Sequence, residues 1–306
     1  MASPIRQQDR GRLAHTGYST AGFGDRDLEA ALRAIAAAGF AEAEICSSPP
    51  HLSSPPRGDD LRRLRALLRE CGLRAATVHA PMRENVLGAP DEDWRRDKVE
   101  VLTGFIRFAA DIGAAGLVVH PVPNPIFVPD PERPELAQII AAAARRSLDE
   151  LVPIAQRDGV RLLLENLPYP CHYPFLGIEE LRSLVEPYPD EALGLVIDTG
   201  HAWTSGLDPA NEIRIAGPRL WGTHLQDVDA DDPQDNHWAP GHGGLDWDGI
   251  CAALAEVEYA GSWTFEVIVP RHGEEPDELA RLTRQFATGW GLPGSPDVQD
   301  EARWGV

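Results

Sequence analysis

Cysteine is scarce in this chain, and what there is does not pair by spacing. Four cysteines (Cys46, Cys71, Cys171, Cys251) are spread over 306 residues with no CxxC among them. A disulfide framework is not expected in a chain of this size, and a reducing cytoplasm is the simpler setting. Long apolar runs are missing too. No stretch reaches the roughly 18 residues that would mark a membrane span, and GLVVHPVPNPIFV is too short and too proline-rich to be one. The opening MASPIRQQDRG carries no apolar segment, so no secretory signal is expected. Positive charge is also in deficit: Lys plus Arg number 28 against 48 Asp plus Glu, a net charge of −20. Such a field repels polyanions and argues against a broad nucleic-acid footprint. No GxGxxG follows the first apolar segment, which weighs against a dinucleotide-binding fold.

What is present is a strand–helix unit repeated eight times. The strand candidates are RLAHTGYS, AEAEIC, LRAATVHAP, GLVVHP, RLLLENL, LGLVIDTG, LWGTHLQD and SWTFEVIV. They are short and rich in Val, Ile and Leu on both faces, as buried parallel strands are. Between them lie segments with helical apolar spacing, such as DRDLEAALRAIAAAG, with Asp25 as its expected cap and Gly39 as its stop. Strand alternating with helix predicts a parallel sheet, and eight repeats predict closure into a single α/β domain, a (β/α)8 TIM barrel. The barrel is expected over residues 1–290, with 291–306 as a C-terminal extension. Trp304 in that extension hints at docking, so a homo-oligomer is one reading of it.

The last four strand candidates each end in a residue that can bind a metal ion. Glu165 closes RLLLENL, Asp198 closes LGLVIDTG, His224 closes LWGTHLQD and Glu266 closes SWTFEVIV. In a closed barrel, strand ends share one face, where functional groups collect. Three carboxylates and an imidazole suit a divalent ion such as Mn, Zn, Mg or Co, among which oxygen and nitrogen ligation discriminates poorly. Further candidates are His79, His120, His201, Asp235 and His237, as ligands of one or two more ions or as contacts to substrate hydroxyls. His15 and His242 are additional ligand candidates, whereas His51 and His272 read as surface histidines. Phe23, Trp203, Trp238 and Trp247 are expected near the mouth, with Trp203 or Trp238 able to cover a sugar ring. Arg83 and Arg271 are the best anion contacts.

The motifs VHAP, VVHP, LENLP, DTGHAW, HLQD, DNHWAPGHGGLDW and FEV resemble the xylose isomerase-like barrel superfamily over about residues 12–290. That group includes sugar isomerases and epimerases, inosose dehydratases and endonuclease IV-type DNA repair enzymes. The resemblance to its sugar epimerases implies that Glu165 and Glu266 hold the metal and serve as acid and base. It also implies that Asp198 and His224 complete the shell and that His201 meets substrate. The endonuclease branch holds three zinc ions, and its ligands match His79, His120, Glu165, Asp198, His201, His224, Asp235, His237 and Glu266. Two positions depart from that branch. Met82 and Arg83 stand where a DNA-wedging tyrosine and leucine would, and the motif reads Asp235-Asn236-His237 rather than Asp-Arg-His.

The expected function is therefore a metal-dependent isomerase or epimerase. It would act on a small sugar or keto-polyol by proton transfer next to a carbonyl. An inosose-type dehydratase shares the first step, and a trinuclear-zinc phosphodiesterase is the rival. A non-catalytic sensor barrel is disfavoured, because so many buried coordinating groups at one mouth would serve no structural purpose.

Overall fold

The computed structural model describes residues 15–82 and 85–290. The Arg83 expectation, residues 12–14 of the first strand candidate and the 291–306 extension with Trp304 lie outside them. Eight strands form one sheet in the order β7-β6-β5-β4-β3-β2-β1-β8, every neighbouring pair parallel. They are β1 (Thr16–Ser19), β2 (Glu42–Cys46), β3 (Arg74–His79), β4 (Gly116–Val119), β5 (Arg161–Glu165), β6 (Leu193–Asp198), β7 (Leu220–His224) and β8 (Trp263–Phe265). The ring closes between β7 and β8, where Leu225 N–H donates to the Thr264 carbonyl at 2.9 Å and Glu266 N–H to the Leu225 carbonyl at 3.2 Å. This is the expected (β/α)8 barrel.

Helices α1 (Leu28–Ala37), α2 (Gly58–Glu70), α3 (Glu92–Ile112), α4 (Leu136–Asp158) and α5 (Ile178–Val185) each follow one strand. Two helices, α6 (Thr199–Thr204) and α7 (Pro209–Ala216), follow β6, then α8 (Trp247–Glu256) and α9 (Pro276–Gly289). Local chemistry sets their ends. Asp91 accepts from Trp94 N–H at 2.9 Å to start α3, and Gly113 takes a left-handed φ of 74° to stop it. The first helix starts later than the sequence suggested. Asp27, not Asp25, accepts from Ala30 N–H at 2.8 Å, while Asp25 pairs with Arg26 on the surface. The short α6 was not expected; Asp198 caps it by accepting from His201 N–H at 2.8 Å, and six residues are too few to show periodicity.

Alternation along each strand divides the side chains into two sets. Outward residues such as Val78, Leu117, Val119, Leu162 and Leu164 join the helix stripes in the main core, for example Leu102, Phe105 and Ile106 of α3. Each of these buried side chains contributes about 1.5–3 kcal/mol of transfer free energy. The inward residues are stacked in tiers. Above, at the C-terminal ends, stand the polar groups of the candidate site. Below them the filling is thin: Gly17, Thr77, Gly222 and Thr264 alternate with a separate apolar trio, Val118, Leu163 and Val196. A cavity of about 280 Å³ occupies the lower barrel, with Arg74, Arg161 and Trp221 toward the N-terminal face and Glu44 and His224 at its upper end. His15, placed by its spacing among the metal candidates, lines this lower cavity because it precedes β1 and so sits at the opposite end of the barrel.

Candidate metal centre

The four residues at successive strand ends converge. Glu165, Asp198, His224 and Glu266 each offer a ligand atom within 4.8 Å of the others, and all four are buried. Two further constellations share members with the first: His79, His120 and Glu165 on one side, Asp198, His201 and His237 on the other. Asp235 reaches His201 Nε2 at 3.3 Å and His237 Nε2 at 3.0 Å. All nine candidates therefore belong to one contiguous site at the C-terminal mouth, built from the ends of β3, β5, β6 and β7, the residue after β4, α6, the loop after β7 and the residue after β8.

The histidines are aimed by what holds their other nitrogen. His79 Nδ1 contacts the Ala80 carbonyl at 2.8 Å, His201 Nδ1 the Asn166 carbonyl at 2.8 Å and His237 Nδ1 the Glu266 carbonyl at 3.0 Å. With Nδ1–H donating to a carbonyl, Nε2 is left as a lone-pair donor into the site, as in metal-binding histidines. His224 is reversed: Nε2–H faces Glu44 Oε2 at 3.0 Å and Nδ1 faces Glu165 and Glu266 at 2.7 and 3.4 Å.

The residues fit a divalent ion. Ligand bonds of about 2.0–2.1 Å in a tetrahedron put ligand atoms roughly 3.3 Å apart. His79 and His120 Nε2 lie 3.4 and 3.3 Å from Glu165 Oε2, which is buried without any hydrogen bond. Those imidazoles face this buried oxygen, and an ion between the three atoms would take over their charge.

Charge is tuned by the same contacts. Burial works against ionisation of Glu165, but His224, His120 and His79 hold its carboxyl well below the ordinary range. Asp198 goes the other way, pushed up to about 6 chiefly by burial. Burial opposes charge on His79, His201 and His237, yet the facing carboxylates outweigh it and raise them to about 9, about 10 and about 9. His120 is lowered, burial being the larger effect. Raised histidines bind protons at neutral pH that an ion must displace. Metal affinity is therefore expected to climb from pH 7 to about 10, the range set by His79, His237 and His201, with proton release on binding. Calorimetry in buffers of different ionisation enthalpy measures both, and pH-independent uptake would contradict it.

Several residues that organise the site escaped the sequence reading. Glu44, on β2 and 1 % exposed, supports His224 from beneath and accepts from Thr77 Oγ1 at 2.7 Å. Its only trace in the sequence was a second glutamate, two residues after Glu42, in an otherwise apolar strand. Asn166 ties β5 to β6, accepting from Asp198 N–H at 2.7 Å and donating to the Asp198 carbonyl at 3.0 Å. Gln226 donates to Asp198 and Asp235, each at 3.1 Å, and accepts from His237 N–H at 2.8 Å. Glu44→Ala is expected to weaken ion binding about 10–100-fold, since His224 loses the partner that orients it. Equal affinities for variant and parent would show that Glu44 is only packing.

The other expectations divide. Trp203 packs against the core and its Nε1–H faces the Ala230 carbonyl at 3.4 Å. The Arg271 guanidinium lies over Trp238, 4.3 Å from the ring centre. Phe23 follows β1 on the C-terminal side but is fully buried against Tyr18, so it presents no ring to a ligand. Trp247 is core as well, its Nε1–H donating to Asp227 Oδ2 at 2.9 Å. His51 is not a surface histidine; its Nε2 meets the Phe23 carbonyl at 3.1 Å in a buried position. His242 lies outside the centre, beside His272 and Glu274.

A closed (β/α)8 barrel with a nest of carboxylates and imidazoles at its C-terminal mouth defines a class of metal-site barrels. Residues 32–287 match the family model described as the xylose isomerase-like TIM barrel, and the chain belongs to that family. It is 24% identical to the fructoselysine 3-epimerase of Shigella flexneri over 87% of this chain and 94% of that one. It is 27% identical to the probable endonuclease 4 of Thermoplasma acidophilum, over 58% of this chain and 60% of that protein. Among solved structures, a D-tagatose 3-epimerase-like protein superposes with a TM-score of 0.76 at 22% identity, covering 90% of this chain and 96% of the other. The relatives it resembles include sugar 3-epimerases, an inosose isomerase and a probable endonuclease 4. No helix among the described residues is long and apolar enough to cross a membrane.

Proposed function

We propose that the protein is a metal-dependent isomerase or epimerase of a small sugar or keto-polyol. The observation that carries this reading is the pair Glu165 and Glu266, which face one another across a buried four-ligand constellation from positions three strands apart around the ring. The epimerase relatives support it. Glu165, Asp198, His224 and Glu266 would hold a divalent ion (Mn, Zn, Mg or Co), which when bound polarises a carbonyl and its neighbouring hydroxyl. Glu165 takes the proton from the carbon next to that carbonyl, and Glu266 delivers one to the opposite face. Inversion needs acid and base on opposite sides, and the two strand ends supply them. Trp203 and Trp238 form the walls of the sugar subsite. His201 and His237 contact its hydroxyls, unless they and His79, His120 and Asp235 take up further ions. The same proton abstraction would begin an inosose-type dehydration, in which a hydroxyl leaves instead of a proton returning.

One observation favours a second reading. The three constellations share Glu165 and Asp198, the arrangement a cluster of ions would need, and phosphoester hydrolysis is the chemistry such a cluster suits. A net charge of −20 opposes a DNA substrate. Metal content of protein purified without chelator separates the two. One ion per chain, with solvent deuterium entering a ketose or inosose, supports the isomerase. Three zinc ions with nicking of abasic DNA at low salt would replace it with the hydrolase.

A further inference from the structure

A second cluster of metal-binding side chains lies on the rim of the mouth, apart from the nine residues of the centre. His242 comes from the loop between β7 and α8, and His272 and Glu274 come from the loop between β8 and α9. Their ligand atoms lie within 4.8 Å of one another. His242 Nδ1 is 3.4 Å from Glu274 Oε1, close to the edge length of a tetrahedral site. That nitrogen is buried and makes no hydrogen bond, so a polar atom is withheld from water with only the Glu274 carboxylate, among the described residues, facing it at ion-pair distance. The two imidazole rings stand 5.4 Å apart at an interplanar angle of 48°, and a nitrogen of His272 already lies within 4.8 Å of the other two ligand atoms.

The backbone on both sides is already set. Asp227 accepts from Gly241 N–H at 2.8 Å and Leu245 N–H at 3.1 Å, on either side of His242, whose own N–H donates to the Ala239 carbonyl at 2.9 Å. Across the gap, Glu274 Oε2 accepts from His272 N–H at 2.8 Å around Gly273, whose φ of +83° suits glycine. Little ordering entropy is left for an ion to overcome on either loop. Two imidazoles and a carboxylate with an open fourth position are a donor set for a zinc-type ion.

We propose that His242, His272 and Glu274 form a separate zinc-type site that clasps the β7–α8 loop to the β8–α9 loop. These same loops carry Trp238 and Arg271, so the ion would stiffen the lip of the substrate mouth without touching the reacting atoms.

The test uses the full chain, stripped of metal and titrated with zinc chloride by calorimetry, alongside His242→Ala, His272→Ala and Glu274→Gln. The parent is expected to bind one ion more than either histidine variant, and zinc is expected to raise the parent's Tm by an increment those variants lack. Glu274→Gln should keep the site but weaken it. Equal stoichiometry in the parent and the His242→Ala/His272→Ala double variant would overturn the proposal. The outcome is independent of the centre. Loss of one ion in the double variant with none bound by Glu165 and its neighbours would sink the central site and leave the clasp. The converse would sink the clasp alone.

Discussion

Glutamine in place of Glu165 or Glu266 is expected to lower kcat by about 10²–10⁴-fold, the usual contribution of a positioned acid or base. That is roughly 3–5 kcal/mol of transition-state stabilisation. Glutamine keeps the volume and one carbonyl oxygen, so the barrel should fold as before, and a Tm close to the parent's would establish that. Activity alone does not separate proton transfer from ion binding, because both residues are also proposed ligands. Solvent deuterium does. In the parent, deuterium from the solvent should enter the substrate at the carbon next to the carbonyl. In variants reloaded with metal to the parent's content, wash-in should fall with turnover. If Glu165→Gln and Glu266→Gln both kept full exchange at that carbon, neither carboxylate would be the base, and the proposed chemistry would be wrong.

Asp227→Ala should be the most damaging change to stability. This carboxylate is fully buried and accepts from four donors: Val228 N–H at 3.0 Å, Gly241 N–H at 2.8 Å, Leu245 N–H at 3.1 Å and Trp247 Nε1–H at 2.9 Å. Removing it strands those donors, three of which fix the loop from residue 241 to the start of α8. Hydrogen bonds to charged groups are worth about 1.5–3 kcal/mol each, and buried orphans cost similar amounts. Partial rehydration of the loop tempers the sum, so a net loss of roughly 3–5 kcal/mol is expected, with a fall in Tm of roughly 6–10 °C. Gly243 belongs to the same device: a Cβ there would sit 2.2 Å from Asp227 Oδ1 and from the Val228 carbonyl, so Gly243→Ala should also destabilise. Thermal unfolding of the metal-free protein reads this directly. An unchanged Tm for Asp227→Ala would mean that solvent replaces the carboxylate at no cost.

The fold was largely legible because each strand carries its own signal. Short Val/Ile/Leu runs ending in a polar residue, set between helical segments, left few alternatives to a closed parallel sheet. Six of the nine candidate ligands were legible for the same reason, since a polar residue closing a buried strand stands out against its neighbours; His201, Asp235 and His237 lie beyond the strand ends and were legible only from their spacing and from the family resemblance. Glu44 was not. It lies in mid-strand, where AEAEIC reads as an ordinary alternating edge, and its partners on β3 and β7 are 33 and 180 residues away. His15 shows the opposite error, since a histidine near a strand carries no mark of which end of the barrel it occupies. His51 was misplaced on the surface, whereas it meets the Phe23 carbonyl inside the fold. Aromatics in loops are ambiguous in the same way: Trp247 looked like a mouth residue until its indole proved to be an anchor for Asp227.

The hollow under the centre separates two tasks that barrel enzymes often entangle. In the proposed reading substrate would meet the upper rim, and the lower tier would be hidden from it. His224, proposed to hold the ion, is braced from that lower tier by Glu44, at the upper end of a cavity lined by small residues and by Arg74, Arg161 and Trp221. The cavity leaves room for edits at side chains such as Thr77 and Thr264, but not at Gly17 or Gly222, where an added Cβ would lie 2.7 Å from Ser262 Oγ and 2.8 Å from Val196 Cγ2. A lineage, or an engineer, could therefore retune which ion is held, and how tightly, by editing the foot. Sugar preference would be left to the rim, and the two traits could drift apart in independent steps.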